Sequence, residues 1–74
     1  MILIIARCRQ HAEHFAYEHR LKRRQWVYYN YAQDLIGLDL NRFTPVRLPG
    51  YWENPQAEAF DKVIDEWEAK YHGS

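Results

Sequence analysis

The sequence predicts an α/β fold: a small three-stranded, mainly parallel sheet in the order 2-1-3, with two longer helices and one short helix. Three observations carry the prediction. Runs of aliphatic, β-branched or aromatic residues suited to strands recur at residues 2–6, 25–30 and 43–48. Stretches of helical periodicity alternate with them, which gives β-α-β-α-β-α and right-handed crossovers. The most apolar run comes first, and a run apolar on both faces belongs in the middle of a parallel sheet.

The first strand is Ile2-Leu3-Ile4-Ile5-Ala6, an unbroken apolar run. The first helix is expected over residues 9–20, with Ala12, Phe15, Ala16 and His19 on its inner face. On that face His19 reads as a hydrogen-bonded, half-buried histidine. Lys22-Arg23-Arg24 reads as a solvated connection. The second strand follows at residues 25–30, with Trp26 and Tyr28 on one face of the sheet. Residues 32–40 hold Leu35, Ile36, Leu38 and Leu40 around Gly37, so one or two helical turns are expected, ending near that glycine. The third strand spans residues 43–48, and Pro45, which has no amide hydrogen for the ladder, means that it should lie at an edge or start late.

The last helix is the clearest element. Asn54 suits its N-cap and Pro55 its first position. Phe60, Val63, Ile64, Trp67 and Tyr71 then form an apolar stripe, and Gly73 would end it.

Composition sets bounds on use. Seventy-four residues make one domain, read as residues 1–72 with Gly73 and Ser74 as a tail. A domain this small buries only about 60% of its unfolded surface, and twelve aromatic residues help to compensate. Cys8 is the single cysteine, so no intrachain disulfide forms, which fits a reducing compartment. The N-terminal apolar run is too short for a membrane span or a signal peptide, so a cytoplasmic location is expected. The net charge is zero but unevenly spread. Residues 1–30 carry six Lys/Arg against two Glu, whereas residues 53–74 carry two Lys against six Asp/Glu.

The topology locates a candidate site. Open α/β sheets bind ligands beyond the carboxyl ends of their strands, where the strand order reverses. Here that crevice lies between strands one and three. The binding residues expected at its rim are Arg7, Arg9, Asn30, Gly50, Tyr51 and Trp52. Arginines at a helix start suit an anion, and loop aromatics suit stacking or an anchor. Against this, Tyr51 and Trp52 sit in a Pro-Gly loop, where Trp52 could instead fold back as a lid over the last helix.

Other chemistries find less support. No G-x-x-x-x-G-K-[ST] or G-x-G-x-x-G motif occurs, which excludes the common nucleotide-binding loops, and no cofactor is expected. Cys8, His11, His14 and Glu18 span one side of the first helix, but no second ligand segment accompanies them, so no metal is expected. A Cys8 nucleophile would need a positioned base and an oxyanion site, and the sequence shows neither, so no enzyme activity is expected. Arg7, Arg9, Arg20, Lys22, Arg23, Arg24 and Trp26 combine cations with an aromatic as nucleic-acid surfaces do, though the neutral total opposes strong phosphate affinity.

The stretch Ile4-Ile5-Ala6-Arg7-Cys8-Arg9-Gln10-His11-Ala12-Glu13-His14-Phe15-Ala16 resembles the strand-turn-helix that opens the second motor lobe of many helicases. The later arginine-finger motif is missing, so the resemblance implies no helicase activity. Most of the chain also resembles small uncharacterised proteins of tailed phages that infect actinobacteria. The features that carry this are the opening strand with Ala6-Arg7, Arg23-Arg24-Gln25-Trp26, and Leu48-Pro49-Gly50-Tyr51-Trp52-Glu53-Asn54-Pro55. That resemblance implies an accessory protein of the host cytoplasm that binds a host or phage component. The leading expectation is therefore a non-enzymatic protein that binds another protein, or a second copy of itself, through the strand-end rim. The alternative is a nucleic-acid-binding accessory factor that uses the N-terminal basic residues.

Overall fold

Three strands, β1 (Ile2–Ile5), β2 (Trp26–Val27) and β3 (Thr44–Arg47), form a parallel sheet in the order β2-β1-β3 in a computed structural model of the chain. The structure describes the backbone of residues 1–72 and the side chains of residues 1–70. The expected end signal at Gly73 and the Tyr71 side chain lie outside the described residues. The strand order is the one the sequence predicts. Leu3, Ile4 and Ile5 of the middle strand are all buried, which is why that run has no polar position.

The two main helices are α1 (Arg9–Glu18) and α2 (Ala57–His72), one on each face of the sheet. Leu3 and Ile5 meet Phe60 and Ile64 of α2, together with Leu35 and Leu40 of the crossing segment. Ile4 and Ala6 meet Ala12 and Ala16 of α1, with Tyr28 and Leu48. Small alanines at these two positions let α1 lie close to the sheet. Each fully buried Leu, Ile or Phe contributes roughly 1.5–3 kcal/mol, so β1 anchors both layers.

Helix α1 ends two residues earlier than expected, and the reason is local. Arg20 adopts a left-handed conformation (φ 54°). Its amide donates to the Tyr17 carbonyl (3.1 Å), and the Leu21 amide donates to the Ala16 carbonyl (2.8 Å). This paired closure satisfies the last carbonyls and turns the chain sharply. Leu21 then joins Ala16 on the inner side. His19 lies past the last turn, so it is exposed rather than half-buried, with its ring 4.2 Å from that of Phe15.

β2 is also shorter than expected. Strands β2 and β3 occupy opposite edges, so residues 28–43 must cross β1, and the chain leaves the ladder early to do so. The crossing carries 3₁₀ turns at Ala32–Leu35 and Leu40–Arg42 in place of the single short helix expected over residues 32–40. Ala32, Leu35 and Leu40 are buried, but Ile36 and Leu38 are exposed. A 3₁₀ turn repeats every three residues, so the helical spacing that groups Ile36 and Leu38 with Leu35 does not hold.

Pro45 does lie on an edge strand. The Thr44 amide donates to the Met1 carbonyl and the Leu48 amide to the Ile5 carbonyl. The ladder therefore runs through residues 44, 46 and 48, and Pro45 faces outward where no donor is needed. Helix α2 begins at Ala57 rather than Pro55, but Asn54 performs the capping expected of it: its Oδ1 accepts from the Gln56 amide at 2.8 Å.

Candidate functional site

The ends of β1 and β3 meet, as the strand order requires. After β1 the chain leaves through Ala6-Arg7-Cys8, and Cys8 occupies the N-cap of α1 without a side-chain capping bond. The free Arg7 amide instead donates to His11 Nδ1 at 3.2 Å. After β3, Leu48-Pro49-Gly50-Tyr51 forms a tight turn closed by the Tyr51 amide on the Leu48 carbonyl (3.0 Å). Gly50 has φ 88° and ψ 0°, the third-position geometry of a type II turn, with Pro49 before it. Gly50 sets the shape of this turn.

Asn54 ties the strand ends to the last helix. It is 7% exposed. Its Nδ2 donates to the Ala6 carbonyl at 2.9 Å and to the Tyr28 hydroxyl at 3.2 Å. One amide therefore joins the ends of β1 and β2 to the start of α2. Gln56 extends the seam, its Oε1 accepting from the Ala32 amide at 3.4 Å. Burial pushes the Tyr28 phenol above its ordinary range, and the Asn54 hydrogen bond offsets part of that.

Tyr51 and Trp52 divide the two roles expected of the loop aromatics. Tyr51 is half-buried, and its hydroxyl donates to Asp61 Oδ2 on α2 at 2.9 Å. That bond raises the Tyr51 phenol above its ordinary range. Asp61 Oδ1 also accepts from Arg47 Nε at 2.8 Å, which favours the charged guanidinium. Tyr51 is therefore the lid over α2. Trp52 is 67% exposed, with its ring edge-on to Tyr51 at 5.7 Å. The lid role that the sequence allows for Trp52 belongs to its neighbour.

Of the remaining rim residues, only Arg7 is joined to the Trp52 loop, and Arg9 lies instead over the Tyr28 ring at 5.6 Å. Arg7 lies 3.6 Å from Glu53, which links the two loops. Arg9 and Asn30 are exposed, and so is Tyr31, the residue after Asn30, at 55%. Glu53 is missing from the expected set. An acidic residue directly after two loop aromatics, opposite a strand-end arginine, was the available signal.

Members of the seven-residue basic set line the rim and three grooves, two of which share Leu21. Arg7 is held at the rim by Glu53. Arg9 and Arg23 line a groove of about 220 Å³ with Glu13, Trp26, Val27 and Tyr28. Arg24 lines a different groove with Met1, Ile2, Leu21 and Gln25, and Arg20 a third with Tyr17, Glu18 and Leu21. Trp26 is only partly exposed and packs against the inner cluster of the α1 layer, so it is not a free stacking platform.

The histidines of α1 are used locally: His11 accepts from Arg7, and His14 Nε2 lies 2.7 Å from Glu18 Oε1. Among the described residues, no three or more His, Cys, Asp or Glu side chains gather as a metal site. Also among the described residues, no helix is long and apolar enough to cross a membrane. Compared with known protein families, curated proteins and solved structures, the chain matches none.

Proposed function

We propose that the chain is a small, non-enzymatic binding module that engages a protein partner, or a second copy of itself, through its strand-end rim. The observation that carries this reading is the exposure of Trp52 on a loop whose other members are fixed. Gly50 sets the turn, Tyr51 is tied to Asp61, and Asn54 is buried beneath. A large ring held out on a rigid support loses little entropy on docking, and tryptophan is enriched among the residues that dominate interfaces. Arg7 and Glu53 beside it supply a polar border that can satisfy either sign of charge.

A small-molecule site at the switch point is the weaker reading, because Asn54 occupies the polar groups a ligand would use. The test combines light scattering across a concentration series with affinity capture from host lysate. Trp52→Ala should abolish self-association or capture while its circular dichroism stays unchanged. A chain that remains monomeric and captures nothing, with Trp52→Ala behaving identically, overturns the proposal.

A further inference from the structure

The two edges of the sheet are built differently. On β3 the outward positions are Pro45, which has no amide hydrogen, and Arg47, whose guanidinium is bound to Asp61 and Asp65 of α2. Proline and a charged residue on an edge are the usual means of preventing another strand from pairing there. β2 lacks both devices. The Ile2 amide donates to the Gln25 carbonyl, so the ladder with β1 runs through residues 25 and 27. Trp26 therefore turns its backbone N–H and C=O outward, and Tyr28 is the next position on that side.

A groove follows this open edge. Trp26, Val27 and Tyr28 form one wall, and Arg9, Glu13 and Arg23 form the rest. Arg7, Arg42 and Arg47 each face a carboxylate, whereas Arg9 and Arg23 make no ion pair among the described residues. Arg9 rests instead over the Tyr28 ring at 5.6 Å. The lining carries two cations against one carboxylate, with Lys22 and Arg24 adjacent in sequence.

We propose that the β2 edge is a docking site for an extended, acidic segment of a partner protein, which adds as a fourth strand beside Trp26 and Tyr28 and brings a carboxylate to Arg9 and Arg23. Backbone pairing supplies affinity in this mode, and side chains at alternate positions supply specificity. Single-stranded nucleic acid fits less well, because the Trp26 ring packs inward and the outward backbone groups would go unused.

The experiment pans a random linear-peptide library against the full chain, then measures the selected peptides by fluorescence anisotropy and amide exchange. The expected consensus alternates β-branched residues with Asp or Glu. Bound peptide should slow exchange at the Trp26 and Tyr28 amides. The double variant Arg9→Glu/Arg23→Glu should bind about tenfold more weakly or worse, while Lys62→Glu on the far face binds as the parent does. No enrichment, or a consensus without acidic residues, overturns the proposal. So does binding that leaves those two amides unchanged. Loss of binding in Trp52→Ala instead would assign the peptide to the strand-end rim. Tight binding of oligothymidylate that the peptide cannot displace would assign the groove to nucleic acid.

Discussion

The Asn54 side-chain amide lies 2.9 Å from the carbonyl oxygen of Ala6, forty-eight residues earlier in the chain, and so fastens the exit of the central strand to the start of the last helix. The same nitrogen reaches the Tyr28 hydroxyl, and the same side chain caps α2 through Gln56. Asn54→Ala removes all three bonds and leaves the Ala6 carbonyl and the Tyr28 hydroxyl buried without a partner. The expected loss is about 2–4 kcal/mol, since each orphaned buried group costs roughly 1–3 kcal/mol. A chain of this length has only about 4–11 kcal/mol in total. Asn54→Asp keeps the acceptor for Gln56 but turns a carboxylate oxygen toward the Ala6 carbonyl. It should therefore be nearly as damaging. Urea unfolding midpoints measure both, and an Asp variant as stable as the parent would show that the donated bonds are unimportant.

The left-handed Arg20 offers the opposite kind of prediction. A side chain at φ 54° meets steric resistance that glycine escapes. Its amide bond to Tyr17 uses backbone alone, so it survives substitution. Arg20→Gly should raise stability by about 0.5–1 kcal/mol, visible as a higher thermal midpoint. An unchanged or lower midpoint would mean that the Arg20 side chain makes a compensating contribution.

These two residues mark what the sequence does and does not disclose. The sheet order and the meeting of the β1 and β3 loops follow from local patterns: one continuous apolar run, a proline in the third, and alternation of strand and helix spacing. Asn54 is legible only as a helix cap, because capping is local whereas its bonds to Ala6 and Tyr28 depend on tertiary placement. Tyr51 and Trp52 are indistinguishable as adjacent aromatics until the type II turn at Gly50 directs one ring toward Asp61 and the other outward. The basic residues line several grooves, and only tertiary placement assigns Arg9 and Arg23 to one of them and Arg24 to another. Helical spacing misassigns Ile36 and Leu38 because the crossing segment is 3₁₀ rather than α.

The phenols of Tyr28 and Tyr51 predict the alkaline limit of the fold. Both are held above their ordinary range, Tyr28 mainly by burial and Tyr51 mainly by its bond to Asp61. The folded state therefore keeps protons that the unfolded state releases near pH 10. The associated stability is fully present below that pH and is lost as pH rises through the folded values. Thermal midpoints should fall above about pH 10, and more steeply in the parent than in Tyr28→Phe. Parallel pH profiles for the two chains would remove this assignment.

Trp52 and Ile64 separate a displayed residue from a structural one. Ile64 is 1% exposed, in contact with the cluster around Leu3 and Ile5. Ile64→Ala should cost about 2–5 kcal/mol through lost contacts and the cavity left behind. Trp52→Ala removes a larger side chain, yet 67% exposure and an edge-on contact with Tyr51 leave little to lose. Its expected cost is within about 0.5 kcal/mol by urea unfolding. The comparison bears directly on the rim as a binding surface. A Trp52 variant that loses several kcal/mol would show the ring to be part of the core in solution, and a ring committed there cannot anchor a partner.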